Sequence, residues 1–234
     1  MTFKSTVQGF RSLMYRSGRV YNFLSNKMYD VRRKYLFISK LIGKNKHILD
    51  LACGTGFLTR FLHPSNIYEG WDINHKFLNK LKKDWLKGKS KIKHIIIKQK
   101  DLFNFNEYPK EKVDIIVLCD ILHHINPSHL TIVENAKRCA RKVIVCEPIA
   151  IKPRDLKANS RFIRIFVKIG GFFPEKLYRL IDFVFLDNDG VNTYENRLAW
   201  NHNNKSIKIL YKKMGFKKIY EIKDNYIGVW DVNN

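Results

Sequence analysis

Five short apolar runs recur between residues 46 and 147, separated by stretches in which apolar residues return every three or four positions. The runs are His47–Leu49, Asn66–Trp71, His94–Lys100, Val113–Cys119 and Lys142–Cys146. The last two are almost wholly apolar, as strands are when helices cover both faces of a sheet. This alternation predicts an α/β fold in which right-handed crossovers wind helices onto both faces of a mostly parallel sheet.

The first 45 residues alternate aromatic and basic side chains and are predicted to form two helices. In the second, apolar positions recur at residues 28, 31, 35, 38 and 42, and Gly43 follows as a stop signal. A helix with this spacing has one face for the core.

Two more helices are predicted inside the alternating region. The first runs from about His75 to Lys87 and has an apolar stripe. The second opens at Pro127 with Asn126 as its N-cap, and its buried side is predicted to carry Leu130, Val133 and Ala136.

The chain ends with a helix and two strands. The helix spans Lys205–Met214 and stops at Gly215, and the strands are Lys217–Ile222 and Tyr226–Val232. Because only three residues separate the strands, they are predicted to form a hairpin and an antiparallel edge of the sheet.

Composition favours one globular domain inside the cell. The chain has 234 residues, 45% of them hydrophobic, which is enough for a sizeable core. It has no apolar run of membrane-spanning length and no signal peptide, which predicts a cytoplasmic protein. The four cysteines lack C-x-x-C spacing and are predicted to be reduced, and no metal site is predicted from them.

The net charge of +23 has two interpretations. It can reflect a solvated lysine-rich surface, or an anionic partner such as nucleic acid, an acidic membrane face or a phosphorylated substrate. The densest tract, residues 76 to 100, holds ten lysines and one acid, Asp84. It lies away from the expected substrate entrance, so nucleic acid is the less favoured partner.

Residues 148–202 interrupt the alternating pattern. Arg161, Arg164 and Lys168 share one face of a helical segment, which is either a lid packed on the core or a helix that contacts an anionic membrane. The sequence from Asp187 to Gly190 is predicted to be a turn, because its spacing does not fit a calcium loop. Other side chains of this region suit a sugar or another hydroxylated substrate, namely Tyr194, Glu195, Arg197, Trp200 and His202.

Candidate chemistry centres on a glycine turn after the first strand. A helix is predicted directly after the turn, because the apolar residues Phe57, Leu58, Phe61 and Leu62 recur there at helical spacing. Gly54 and Gly56 allow a close backbone approach to a ligand, but Thr59 stands where a dinucleotide fingerprint has its third glycine. The acid before the turn, Asp50, would repel a pyrophosphate and suits the ammonium of an amino-acid-like ligand.

Two more acids end the next two strands. Asp72 can accept both hydroxyls of a ribose, and Asp101 can accept an adenine amino group while Leu102 packs on the ring. The three acids therefore follow the order of groups in one nucleoside-containing cationic ligand.

The sequence DLACGTG, from Asp50 to Gly56, resembles the first motif of class I S-adenosylmethionine-dependent methyltransferases, with Ala52 where many members have glycine. The resemblance implies a Rossmann-like seven-stranded sheet with an antiparallel last strand, and S-adenosyl-L-methionine as the cofactor. It implies an N-terminal helical cap over residues 1–45 and a methyltransferase domain over 46–234, within which 148–202 are a substrate-side insertion. The implied cofactor-binding residues are Asp50, Ala52, Cys53, Gly54, Gly56, Asp72, Ile73, Asp101, Leu102 and Cys119.

A histidine pair follows the fourth strand, in the sequence Leu122-His-His-Ile125. Histidine suits proton removal from an oxygen nucleophile at neutral pH. The pattern resembles small-molecule and sugar O-methyltransferases, which implies His123 or His124 as the base and Glu147, after the fifth strand, as its support.

The predicted function is methyl transfer to a hydroxyl of a small molecule, a sugar or a lipid-linked glycan. Two alternatives stay open at this point: an RNA methyltransferase that uses the basic surface, and a basic binding module that keeps the fold without chemistry.

Overall fold

The computed structural model describes residues 10–28, 30–149 and 174–232. Within these residues one seven-stranded sheet has the order β3-β2-β1-β4-β5-β7-β6. The strands are β1 (His47–Leu51), β2 (Ile67–Asp72), β3 (His94–Gln99), β4 (Val113–Cys119), β5 (Ala140–Pro148), β6 (Lys218–Ile222) and β7 (Asn225–Asp231). The helices are α1 (Leu13–Arg16), α2 (Gly18–Met28), α3 (Val31–Ile42), α4 (His75–Leu86), α5 (His129–Cys139), α6 (Glu175–Phe185), α7 (Tyr194–Leu198) and α8 (Asn204–Lys213).

The first five strands are parallel, as predicted. β1 lies between β2 and β4, with Asp50 opposite Gly70 on one side and Val117 on the other. All five strands therefore end at the same edge of the sheet, where open α/β folds bind ligands.

The closing hairpin is confirmed, and it forms one edge of the sheet with an antiparallel last strand, as predicted. The antiparallel strand β7 pairs with β5 on one side and with β6 on the other, so β6 forms the edge. β7 is the better interior strand because Tyr226 to Val229 are all buried, whereas β6 alternates half-buried and exposed residues.

Helices cover both faces of the sheet. α5 and α8 pack on one face through Ile132, Ala136 and Ile207, next to Ile116 of β4. α3 and α4 pack on the other face, in a second cluster that contains Ile38, Leu81 and Ile115. Burial on both faces explains why β4 and β5 are continuous apolar runs.

The N-terminal region begins with a short helix, α1, that the periodicity did not predict. α3 ends at Ile42 as predicted, but it begins at Val31 rather than at Met28, which is the last residue of α2. Asp30 accepts the backbone N–H of Arg33 at its start, and Gly43 takes a φ of 79° at its end.

Two further predicted helix starts were wrong. After Gly56 the chain forms only a four-residue 3-10 helix, Phe57–Arg60. α5 begins at His129 rather than Pro127, because Asn126 contacts α7 instead of capping α5. Its side-chain amide donates a hydrogen bond to the carbonyl oxygen of Asn196 over 2.9 Å. The later start turns Leu130 outward and places Ile132 in the core instead.

The basic tract is partly neutralised by its single acid. Asp84 is buried at the end of α4 and forms salt bridges with Arg60 at 3.0 Å, with Lys89 at 3.1 Å and with Lys80. Lys80 and Lys89 of the basic tract therefore have a structural role, because they pair with the buried Asp84.

Arg161, Arg164 and Lys168 lie outside the described residues, so the choice between a lid and a membrane-contacting helix stays a prediction. Among the described helices, none has the length and apolar character needed to cross a membrane.

Candidate functional site

A cavity opens at the carboxyl ends of the first four strands and encloses about 920 Å³, including its mouth. Most residues predicted to bind the cofactor line it, namely Ala52, Cys53, Gly54, Asp72, Ile73, Asp101, Leu102 and Cys119. The parallel strands bring these side chains together from positions far apart in sequence.

Asp72 ties two strand ends together at the cavity wall. Its carboxylate accepts backbone N–H groups from Gly54 at 2.8 Å and from Asn74 at 2.7 Å. Burial has the largest effect and raises the pKa of Asp72 to about 6. The two backbone hydrogen bonds lower this pKa, but by less than burial raises it. Each carboxylate oxygen keeps a further lone pair for a ligand hydroxyl.

The two glycines of the turn have different uses. Gly54 has a φ of 56°, and a Cβ there would meet open space. Gly56 has a φ of 71°, and a Cβ there would lie 2.2 Å from Cδ1 of Leu81. Gly54 therefore lines the cavity, whereas Gly56 is not among the described lining residues and is needed for packing against α4.

Ala52 takes a φ of 59°, in the left-handed region that favours glycine. Its position in the motif is the one at which the related methyltransferases often have glycine. The chain therefore keeps the backbone geometry of the motif at a cost in strain.

Asp50 lies in a different setting from the one predicted. It is buried, accepts a hydrogen bond from the Tyr68 hydroxyl at 2.7 Å, and is not among the described residues that line the cavity. Burial is the main cause that raises the pKa of Asp50 to about 7. A direct contact between Asp50 and a ligand ammonium stays a prediction.

The histidine pair is positioned by a sharp turn at the end of β4. Asp120 takes a φ of 54° and forms a salt bridge with the buried Lys34. Oε1 of Glu147 then accepts the backbone N–H groups of Ile121 at 2.7 Å and Leu122 at 2.8 Å. These contacts hold the next two residues, the histidines, against the end of β5.

His123 is oriented by Glu147. Nδ1 of His123 lies 2.7 Å from Oε2 of Glu147, and the glutamate is fully buried. Because a carboxylate only accepts, the hydrogen between them belongs to Nδ1, which leaves a lone pair on Nε2. That nitrogen faces Asp187, whose Oδ2 is 3.9 Å away.

His124 lines the cavity and is surrounded by acids. Its Nδ1 lies 2.9 Å from Asp189, and its Nε2 lies 3.5 Å from Asp187 and 3.1 Å from the Tyr15 hydroxyl. Burial opposes the charged imidazolium, but attraction by Asp187 and Asp189 outweighs it and raises the pKa of His124 to about 9. His124 is therefore protonated at neutral pH and is not suited to accept a proton.

Asp187 and Asp189 were not predicted as site residues. They come from the loop that was correctly predicted to be a turn, in which Oδ1 of Asp189 accepts the Val191 N–H at 2.8 Å. The N-terminal segment holds this loop, because Ser12 donates its N–H to the Asn188 carbonyl at 2.9 Å. The feature of the sequence that could have identified them as site residues is the spacing of two acids two positions apart.

Arg197 and Trp200 do not offer a surface to a substrate. Arg197 is buried, forms a salt bridge with Asp182 and donates to the carbonyl oxygen of Asn192 at 2.7 Å. Trp200 lies in the core and donates its indole N–H to Pro148 at 3.0 Å. Their predicted role in lining an acceptor site was wrong, because both side chains stabilise the insertion itself.

Comparison with known proteins identifies the domain that carries this site. Residues 48–142 match the sequence model of a methyltransferase domain, from β1 to the start of β5. The chain is an S-adenosylmethionine-dependent methyltransferase, and its sheet has the class I methyltransferase fold. Its cofactor is S-adenosyl-L-methionine, and the cavity fits that group because open space at Gly54 and the lone pairs of Asp72 lie on one wall.

Solved structures share the methyltransferase fold. A magnesium protoporphyrin IX methyltransferase (ChlM) from Synechocystis PCC 6803, solved with bound SAH, has a TM-score of 0.53 and 16% identity over 89% of this chain and 85% of that one. An O-methyltransferase family protein from Burkholderia thailandensis has a TM-score of 0.58 and 13% identity over 98% of this chain, which spans 65% of that protein. The DhpI-SAM-HEP complex has a TM-score of 0.57 and 14% identity over 92% of both chains.

No curated protein sequence matches this methyltransferase. The comparisons therefore establish the reaction class and the fold, and the acceptor has to be argued from the site.

Proposed function

We propose that this methyltransferase transfers the methyl group to a hydroxyl of a small molecule, a sugar or a lipid-linked glycan. The contact between Nδ1 of His123 and Oε2 of Glu147, 2.7 Å long, carries the proposal. An alcohol is a poor nucleophile until it loses its proton, so a hydroxyl acceptor benefits most from a base held in this way.

When bound, S-adenosylmethionine supplies an electrophilic methyl group on a sulfonium. Nε2 of His123 would accept the hydroxyl proton as the acceptor oxygen attacks that methyl group. Glu147 would hold the ring orientation and stabilise the resulting imidazolium. His124 is already charged and holds the loop of Asp187 and Asp189 beside the site.

The acceptor would enter beside the N-terminal helices. Tyr15, Tyr21 and Tyr35 line the cavity together with Arg11, so its walls combine aromatic faces with a positive charge. The aromatic part of this lining suits a ring-containing or sugar acceptor.

A transfer assay with methyl-labelled cofactor tests the proposal. Small-molecule, glycan, lipid and RNA fractions are offered separately, and labelled products are then treated with mild base. A hydroxyl acceptor gives a methyl ether that keeps its label, whereas a methyl ester loses it. Label found only in RNA, or only in base-labile products, contradicts the proposal.

A further inference from the structure

A cluster of potential metal ligands lies beside the cofactor cavity. Ligand atoms of His123, His124 and Asp187 all lie within 4.8 Å of one another. We propose that this cluster binds one divalent transition-metal cation, with Zn²⁺ as the typical occupant, through Nε2 of each histidine and the carboxylate of Asp187.

The spacing of the three ligands fits one ion. Asp187 presents Oδ2 at 3.9 Å from Nε2 of His123 and Oδ1 at 3.5 Å from Nε2 of His124. Two ligands at 2.0–2.1 Å from a tetrahedral Zn²⁺ are about 3.4 Å apart. Both distances exceed a strong hydrogen bond and need only a small contraction around a cation.

The other ring nitrogen of each histidine lies close to a carboxylate, as in metal-binding imidazoles, and that of His123 forms a hydrogen bond. Nδ1 of His123 lies 2.7 Å from Glu147, and Nδ1 of His124 lies 2.9 Å from Asp189. Carboxylates that hold the second nitrogen fix the ring and increase the basicity of the ligating nitrogen. Both Nε2 atoms are thereby turned toward the same carboxylate.

One atom at the centre lacks a partner. Oδ2 of Asp187 is buried and has no hydrogen-bond partner among the described residues. A buried acceptor without a hydrogen-bond partner costs free energy of folding. A cation between Oδ2 of Asp187 and Nε2 of His123 would give this oxygen a partner. The three carboxylates around the two imidazoles also supply negative charge that a divalent cation offsets.

Ligand chemistry selects the class of cation. Two imidazoles and one carboxylate suit Zn²⁺, Co²⁺, Ni²⁺ or Fe²⁺, whereas Mg²⁺ and Ca²⁺ prefer oxygen ligands. The Tyr15 hydroxyl, 3.1 Å from His124 and 3.3 Å from Asp187, stands where a further ligand would be. The cation would displace the proton that His124 carries on Nε2 in the metal-free protein. Since Nε2 of His123 has one lone pair, cation binding and the proposed proton transfer exclude each other there.

Calorimetry on the full-length protein, treated with EDTA and dialysed, tests the site without cofactor or acceptor. We expect one Zn²⁺ per chain, no measurable Mg²⁺ binding, and Co²⁺ absorption bands typical of a tetrahedral site. Asp187→Asn and His123→Gln should each weaken Zn²⁺ binding at least 10-fold, whereas His129→Gln, a histidine outside the cluster, should bind as the wild type does.

Thermal unfolding separates ligand loss from misfolding. Zn²⁺ should raise the melting temperature of the wild type and of His129→Gln, and should not change that of a folded Asp187→Asn protein. Zn²⁺ binding that is absent in the wild type, or unchanged in both cluster variants, would overturn the proposal. Because no methyl transfer is measured, this result is independent of the acceptor.

Discussion

The carboxylate of Asp72 accepts the backbone N–H of Gly54 over 2.8 Å, which joins the end of β2 to the glycine turn after β1. The same carboxylate lines the cofactor cavity. One side chain therefore shapes the turn and faces the ligand.

Asp72→Asn should weaken binding of S-adenosylmethionine and its demethylated product by about 10- to 100-fold, because a hydrogen bond to a charged group is worth about 1.5–3 kcal/mol. Calorimetry measures this. Asp114→Asn is the matched control, since Asp114 accepts the His47 N–H at 2.9 Å at the opposite end of the strands. Unchanged affinity in a folded Asp72→Asn protein, or tight NAD binding, would contradict the cofactor assignment to this wall.

His123→Gln should lower turnover on the true acceptor by about 10²- to 10⁴-fold, because the base is lost while alignment remains. Glu147→Gln should lower it less, since the ring stays but its orientation and charge support weaken. Cofactor affinity measured by calorimetry should stay within about twofold of wild type. The assignment of His123 as the base fails if His123→Gln retains near-normal turnover, or if His129→Gln loses as much activity.

His124 should give the protein a pH-dependent stability. Its pKa is raised from 6.5 to about 9, so its contribution is complete below about pH 6.5 and is lost as pH rises through about 9. A shift of this size corresponds to about 3 kcal/mol.

Urea unfolding in EDTA measures this contribution. The difference in free energy of unfolding between wild type and His124→Gln should shrink by about 3 kcal/mol between pH 6 and pH 10. His129→Gln provides the comparison, since burial lowers the pKa of His129 whereas the pKa of His124 is raised. A constant difference for His124→Gln would show that its ion pairs with Asp187 and Asp189 do not form.

Ala52→Gly should stabilise the protein by up to about 1 kcal/mol. Glycine removes the left-handed strain of about 1–2 kcal/mol at this φ but adds an unfolded-state entropy cost of about 0.5–1 kcal/mol. Ala136→Gly, in the buried face of α5, should instead destabilise it by about 1–2 kcal/mol. Denaturant unfolding of the two variants checks the sign, and destabilisation by Ala52→Gly would argue against a strained turn.

The strands, the glycine turn and most of the cofactor wall were predictable because their signals are local. An apolar run such as Val113–Cys119 identifies a buried strand from consecutive residues. The acids Asp72 and Asp101 follow strand ends, and parallel strands bring their ends to one edge. The start of α5 was misjudged because the side chain of Asn126 donates to Asn196 of α7, 70 positions later, and local capping preferences do not include such a contact.

The sequence alone could not distinguish the roles of His123 and His124, because the two residues are adjacent. His123 is held by Glu147, 24 positions away, and His124 contacts Tyr15, 109 positions away. Burial and charge at these contacts set which imidazole is protonated, and both depend on how the N-terminal segment and the loop of Asp187 pack together. Periodicity and turn residues thus define the sheet and the cofactor edge, whereas the electrostatics of the acceptor side arise only when distant segments meet and exclude water.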